Sequence, residues 1–307
     1  MPITDSFFES MECDDSGLIW APIAQQISNV TGRALVIRSV RPMHGGSINS
    51  ASVIEGNDQR FFVKHNDPSR LDMFRSEAAG LQEIRSTLTV KVPTPICCGR
   101  TRRVAYIVLE YLALGDGETA AEQFGWQLAA MHQHSHDRFG WHLHNTIGTT
   151  PQINTPGDDW PSFLRAHRLG YQLALAAQHG YRQIIEPGEQ LLERLSVFFQ
   201  DYRPRPSLLH GDLWAGNYAA DGHGQPVVFD PAVYYGDREA DIAMTELFGR
   251  FPDRFYEAYR HALPLDPGYT VRRDLYNLYH ILNHLNLFGP GYLEQANRLI
   301  RRLLAAS

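Results

Sequence analysis

Near residue 112 the chain changes its hydrophobic period, and that change restricts it to a small set of architectures. Before it, short apolar and β-branched runs alternate with turn residues. "ALVIRSV" (34–40) reads as a strand, and "SASVIEGNDQRFFVKH" (50–65) as two strands about a Gly-Asn-Asp turn at 56–58. "VAYIVLEYL" (104–112) is apolar throughout and reads as a strand buried on both faces. One helix interrupts the strands after Pro68, with Ser69 as its expected N-cap and Leu71, Phe74, Ala78, Leu81 and Ile84 on one face. After Leu112 the period becomes helical. Phe124, Leu128 and Met131 share a face; a second helix opens at an Asp cap with Pro161 in its first turn and ends at Gly180; a third carries Leu191, Leu192, Leu195, Phe198 and Phe199. Three more are expected over 238–262, 270–288 and 291–305. The pattern predicts an α+β chain of two lobes with a cleft between them: a small antiparallel-sheet lobe over 1–112 and a larger, mainly helical lobe over 113–307.

The composition excludes several classes. At 307 residues, 43% hydrophobic and 20% charged, the chain can bury a real core. A net charge of -6 offers no general attraction for nucleic acid or an anionic membrane, so neither is expected as a partner. Cys13, Cys97 and Cys98 form no disulfide framework and no C-x-x-C metal pair, which fits a reducing, cytoplasmic setting. The first residues are acidic, without the apolar core of a signal peptide, and no apolar run approaches the roughly 20 residues of a membrane helix.

One loop interrupts the helical half with chemistry. "HGDLWAGN" (210–217) separates Asp212 and Asn217 by four residues, and "DGHG" (221–224) then reads as a hairpin turn that would bring Asn217 beside Asp230. Two oxygen donors on adjacent strand ends suit Mg²⁺, which is commonly held by one or two protein groups plus substrate phosphates. Asp212 is left to accept a proton, the layout of phosphoryl transfer. Alone, D-x-x-x-x-N would be read as a polar turn; Asp230 at hairpin spacing changes that. Lys64, ending "RFFVK", could supply a cation for the phosphates of ATP, and Glu77, on the same helix face as Phe74 and Leu81, a carboxylate to orient it. In "HGGSIN" (44–49), Gly45, Gly46 and Ser47 could cradle phosphate oxygens with backbone N–H groups and a hydroxyl, or could form an ordinary hairpin turn.

Together, "HGDLWAGN", "FDPAVYYGDREADIAM" (229–244), "ELFGRF" (246–251), "GGSIN" and "HILNHLNLFG" (280–289) resemble the fructosamine kinase (ketosamine-3-kinase) family, in the aminoglycoside-phosphotransferase-like branch of the protein-kinase-like fold. "FGWHLHNTIGTTPQIN" (139–154) and "DDWPSFL" (158–164) extend the likeness over nearly the whole chain. The resemblance implies ATP-dependent phosphorylation of the 3-hydroxyl of a ketosamine, free or protein-bound, after which the unstable product releases its amine. It implies Asp212 as catalytic base, Asn217 and Asp230 as Mg²⁺ ligands, Lys64 and Glu77 as the phosphate-binding pair, and Glu110, Tyr111 and Leu112 as the linker whose backbone meets adenine. Trp214 could cover a sugar face or serve in packing. Ser47 stands where some members carry a cysteine linked to redox-sensitive dimerisation, so that switch is expected to be absent at this position; separately, the chain is expected to be a monomer or weak homodimer.

Other polar residues read more plainly. His132, His134 and His136 look like a solvated helix end, and His280 and His284 like packing or acceptor-pocket groups. Asp237, Arg238, Glu239 and Asp241 precede a helix and are expected mainly to support the base loop, with Asp237 also a candidate acceptor contact. Two other outcomes stay open for the chain: a small-molecule kinase of the same fold acting on an aminoglycoside or choline, and a pseudokinase that binds nucleotide without turnover.

Overall fold

The structure, a computed structural model, describes residues 15–43 and 48–307. Its first unit grows from one hairpin. Strands β2 (Ser50–Gly56) and β3 (Gln59–Asn66) pair antiparallel from Ser50 opposite His65 to Gly56 opposite Gln59. Asn57 and Asp58 both adopt left-handed backbone (φ 50° and 59°), the two-residue turn whose twist matches that of the strands. With β1 (Ser39–Met43), β4 (Pro95–Arg100) and β5 (Ala105–Glu110) they form a five-stranded sheet in the order β1-β2-β3-β5-β4. Helix α1 (Asp15–Thr31) packs Ile23, Ala24 and Ile27 against Ile54, Phe61, Val63, Tyr106 and Val108. Each side chain fully buried on this face contributes about 1.5–3 kcal/mol to the unit.

Several local expectations shift. Helix α1 was not anticipated from the sequence, because Pro22, which cannot donate a backbone hydrogen bond, falls inside its apolar pattern. The strand expected at 34–40 begins only at Ser39; Leu35 turns into the core instead, and pairing starts where Arg38 N donates to Glu55 O at 2.8 Å. Helix α2 (Leu71–Ser86) follows a 3-10 turn, Pro68–Arg70, that is capped by Asp67, whose Oδ1 accepts from Ser69 N at 2.9 Å. Ser69 is therefore the donor to the cap and not the cap.

Two compact units result. One comprises the chain to Phe74 together with Ile96–Glu110; the other comprises Arg75–Pro95 and Tyr111–Ser307. The division expected at Leu112 thus falls after Glu110, and a further boundary lies inside α2. The physical reason is local: Glu83 accepts from Tyr235 Oη at 2.7 Å and Lys91 Nζ bonds Asp221 at 2.7 Å, so this stretch belongs with residues far along the chain.

The second unit is mainly helical: α3 (Ala121–Gln133), α4 (Trp160–Leu164), α5 (Gly170–Gln178), α6 (Ile185–Glu193), α7 (Glu239–Thr245), α8 (Asp253–Ala262), α9 (Tyr269–Phe288) and α10 (Leu293–Ala306). Thirteen of the twenty residues of α9 are buried, which makes it the central helix, packed by α5, α7 and α10. The single helix expected over 238–262 is two: Gly249 at φ 78° and Pro252, the N-cap residue of α8, break the hydrogen-bond ladder between them. Short antiparallel pairs complete the unit. β6 (Leu114–Gly115), β10 (Tyr218–Asp221) and β11 (Pro226–Val228) form one sheet, β9 (Ser207–Leu209) pairs with β12 (Tyr234–Gly236), and β7 (Asn145–Ile147) pairs with β8 (Thr150–Gln152). No helix among the described residues is long and apolar enough to cross a membrane.

Candidate active site

The His210–Asn217 loop leaves β9 and is held by backbone contacts that few residues could make. Gly211 sits at φ 82°, and a Cβ there would meet Ala232 O at 2.1 Å, so glycine is required on both counts. Asp241, buried in α7, accepts from His210 N (2.7 Å) and Gly211 N (2.8 Å). His132, at the end of α3, donates from Nε2 to the same carboxylate at 3.2 Å and accepts at Nδ1 from Tyr259 Oη at 2.8 Å. These roles follow from chemistry, since the carboxylate can only accept. Burial pushes the His132 pKa down; burial alone would raise Asp241, but the hydrogen bond from His132 and that from Gly211 N hold it low. His132 is 2% exposed, which corrects the reading of it as part of a solvated helix end; His134 and His136 are exposed. The spacing of two that suggested a frayed end merely sends one of the three inward.

His210 is the next anchor. Its Nδ1 accepts from Asp212 N at 3.3 Å and its Nε2 donates to Phe229 O at 3.0 Å, a set that only the neutral ring can make. Burial lowers its pKa accordingly. One imidazole therefore ties the backbone of Asp212 to the residue before Asp230.

The three residues singled out by spacing come together here. Asn217 is opposite Phe229 across the β10–β11 pair, where Phe229 N donates to its carbonyl at 3.1 Å, so Asp230 is the next residue along. Asn217 Nδ2 donates to Asp212 O at 2.8 Å and Oδ2 at 3.3 Å, which fixes the amide and leaves Oδ1 with no partner among the described residues. Asp230 is exposed and holds left-handed backbone at φ 58°, a conformation that costs roughly 1 kcal/mol or more outside glycine and recurs at functional sites. Asp212 has part of its surface open to solvent but lies deep in protein; burial first, then the nearby Asp230, pushes its pKa up to about 7, against the lowering effect of the Asn217 hydrogen bond. Two carboxylates that repel each other and an amide oxygen without a partner among the described residues fit a hard divalent cation, which takes oxygen ligands and would relieve that repulsion.

A layer of buried amides supports the strand after Asp230. Asn145 Nδ2 donates to Val233 O (2.8 Å), and Gln152 Nε2 to Ala232 O (3.0 Å) and Asn145 Oδ1 (2.9 Å). Asn154 donates to Asn145 Oδ1 (2.9 Å), and Arg168, stacked 4.0 Å over Tyr234, donates to Asn154 Oδ1 (2.8 Å). Asn145, Gln152 and Asn154 are polar residues of "NTIGTTPQIN" (145–154), which carried family likeness without an assigned task. Their task is to satisfy the carbonyls of Ala232 and Val233 in a place where water cannot.

Trp214 is 38% exposed, and a Cβ on Gly216 would meet its ring at 2.2 Å. The indole therefore lies over Gly216 with another part of its surface in solvent, so both readings of it hold in part: it packs on its own loop and still offers an apolar face. Gly249, beside Phe248, borders this loop, since a Cβ there would come 3.3 Å from Ala215 Cβ. Phe248 in turn meets His284 (4.5 Å between ring centroids), which also faces Phe288 and Tyr292. His284 is half-buried; its Nδ1 donates to His280 O at 2.8 Å, leaving Nε2 as an acceptor.

Asp237 is placed otherwise than expected for an acceptor contact. It is 0% exposed and accepts from Tyr276 Oη (2.5 Å), Tyr202 Oη (2.9 Å) and Glu239 N (3.0 Å), so its oxygens are consumed inside the unit. Of the remaining candidates, Lys64 is buried on β3 and Glu110 ends β5, both in the first unit; Glu77 on α2, Tyr111 and Leu112, all half-buried, belong to the second. Gly45, Gly46 and Ser47 lie outside the described residues.

Five antiparallel strands with their helices, a helical unit, and a base loop closed by a short hairpin define the α+β, protein-kinase-like class. The comparisons make this narrower. The fructosamine kinase family model matches residues 19–306, and the chain belongs to that family. It is 46% identical over 287 residues to a "Probable ketoamine kinase" of Synechocystis, covering 93% of this chain and 97% of that relative. It is 42% identical over 273 residues to a chloroplastic protein-ribulosamine 3-kinase of Arabidopsis thaliana, covering 88% of this chain and 83% of the relative. A crystal structure of a protein assigned as a fructosamine-3-kinase from Haemophilus somnus superposes with a TM-score of 0.87 at 28% identity, over 95% of this chain and all (100%) of that one.

Proposed function

We propose that the chain transfers the γ-phosphoryl group of ATP to the 3-hydroxyl of a ketosamine of the ribulosamine or fructosamine type. The observation that carries this reading is the Asp212–Asn217 contact: the amide that would ligate a cation through Oδ1 is the same one that orients the base through Nδ2. Burial, the larger cause of the raised Asp212 pKa, persists when a cation offsets Asp230, and it makes this carboxylate a better proton acceptor than an ordinary one. Asp212 would take the proton of the sugar hydroxyl as that oxygen bonds to phosphorus and the bond to ADP breaks. Asn217 and Asp230 would hold Mg²⁺, Lys64 would meet the phosphates with Glu77 orienting it, and Gly45, Gly46 and Ser47 would cover them. Glu110, Tyr111 and Leu112 would meet adenine. The bound Mg²⁺–nucleotide supplies the phosphoryl group and neutralises charge that builds up in transfer. Trp214 would cover the sugar, with His284 bordering the acceptor; Asp237 acts through the fold.

The relatives' names support a ketosamine acceptor, free or protein-bound. The charge of -6 supports neither nucleic acid nor membrane as partner, and three cysteines without a disulfide framework fit a reducing cytoplasm; a monomer or weak homodimer belongs to the same proposal. ADP release measured with Mg²⁺–ATP and a synthetic ribulosamine, a fructosamine, choline and an aminoglycoside tests the reading. A ketosamine should exceed the other acceptors by at least tenfold in kcat/KM, with ³¹P NMR placing the phosphate on O3. Preference for choline or the aminoglycoside would overturn the substrate, and intact ATP binding without ADP release from any acceptor would overturn the enzyme.

A further inference from the structure

α7, α9 and α10 enclose a pocket of about 230 Å³ that the base loop does not line. Its wall carries three guanidinium groups (Arg273, Arg298 and Arg302) and two carboxylates (Glu246 and Asp274). The carboxylates are already engaged. Glu246 accepts from Arg273 at 3.1 Å and from Tyr269 Oη at 2.8 Å, and Asp274 accepts from Arg302 at 2.8 Å. Arg298 has no partner among the described residues, so one positive charge is left over.

Asn277 is the second, independent observation. It lines the same pocket at 7% exposure, and its Oδ1 is buried with no hydrogen-bond partner among the described residues. A buried amide left unmatched costs about 1–3 kcal/mol, and native proteins keep few of them. The pocket has room for several water molecules and is smaller than the sites that enclose drug-sized ligands.

An unmatched guanidinium and an unmatched carboxamide ask for complementary things. The guanidinium takes an oxyanion, in a forked pair of bonds. The carboxamide both donates and accepts, which suits a hydroxyl. We infer that this pocket binds a small polyol bearing a phosphate or carboxylate, with the oxyanion on Arg298 and a hydroxyl on Asn277. The site is separate from the proposed phosphoryl-transfer residues, and its occupant would be sensed through α9, which also carries His284.

Calorimetric titration of the full chain with glycerol 3-phosphate, glycerate, inorganic phosphate and glycerol tests this and separates the two oxyanions. Glycerol 3-phosphate or glycerate should bind with a Kd below about 1 mM, at least tenfold tighter than inorganic phosphate or glycerol. Arg298→Ala, an exposed substitution, should weaken that binding tenfold or more while leaving ADP release unchanged. Asn277→Ala should remove the advantage of the hydroxylated ligand over inorganic phosphate. Chemical-shift changes confined to α7, α9 and α10 in a methyl-labelled sample locate the event. No saturable binding by the wild-type chain, which would mean a water-filled recess only, overturns the proposal; so does binding that Arg298→Ala leaves intact, or shifts centred on the His210–Asn217 loop.

Discussion

Asp212, Asn217 and Asp230 meet because their spacing encodes backbone geometry. Four intervening residues form the turn that lets Asn217 reach back to Asp212, and the hairpin between β10 and β11 returns the chain to Asp230. In the Asp212→Asn variant the volume stays but the proton acceptor goes. Turnover should fall by about 10²–10⁴-fold, the usual worth of a general base, while ATP affinity measured by titration stays within about threefold. Full turnover would refute the role. The same residues show what spacing can report and what it cannot. A local turn is legible because both partners lie within a few residues of each other. His132 and Asp241 are 109 residues apart, and nothing near either one in the chain announces the other. Gly211 was legible as a bend, but its near-contact with Ala232 O was not, for the same reason.

At the level of elements, the base loop is a passenger on α7. Asp241 accepts three donors, from His210 N, Gly211 N and His132 Nε2, and the last of these connects α3 to the loop. In Asp241→Asn the amide nitrogen would face an N–H group, so at least one buried donor loses its acceptor. Breaking a buried charge-assisted network from one side typically costs about 3–5 kcal/mol. A lower midpoint in urea unfolding should accompany a drop in kcat that exceeds any rise in KM, because the loop that carries Asp212 loosens. An unchanged kcat at unchanged stability would show that the loop holds itself. The helices that the sequence showed clearly are those with unbroken apolar periods, such as α3 and α9. The unit around α7 was legible only in part: "GDREADIAM" reads as the start of one long helix, whereas Gly249 and Pro252 end it within a few turns. Helix α1 was hidden by Pro22, and Leu35 shows how an apolar run read as a strand can instead send a single side chain into the core.

Across the whole molecule, the second unit buries charge-capable groups of both kinds, and their acid responses oppose each other. His280 is 4% exposed, its Nδ1 has no partner among the described residues, and burial with the nearby His284 lowers its pKa to about 3. Between pH 6.5 and that value the unfolded chain holds a proton that the folded chain does not, so this histidine makes the fold less stable as pH falls, by about 1.4 kcal/mol per pH unit. His132 and His210, also buried and lowered, act in the same direction. Glu239 acts in the opposite one. Although Arg272 grips it at 2.8 Å, burial outweighs that attraction and raises it to about 7, so from pH 7 down to its ordinary 4.5 the folded chain holds the extra proton and gains stability as pH falls. Asp237, raised by burial, adds to that gain. None of this was legible in the sequence, where Asp237 and Glu239 read as helix-end carboxylates and His280 as packing, because burial is a property of the assembled helices. Opposed windows flatten the profile of the intact protein, so a single substitution is the sharper probe. His280→Leu removes one term and leaves the carboxylates in place. Its stability relative to the parent, from urea unfolding at pH 7.0 and pH 5.0, should improve by about 2 kcal/mol on going to the lower pH. An equal difference at both values would mean that His280 takes up its proton in the folded chain, and that its ring is not held neutral by burial.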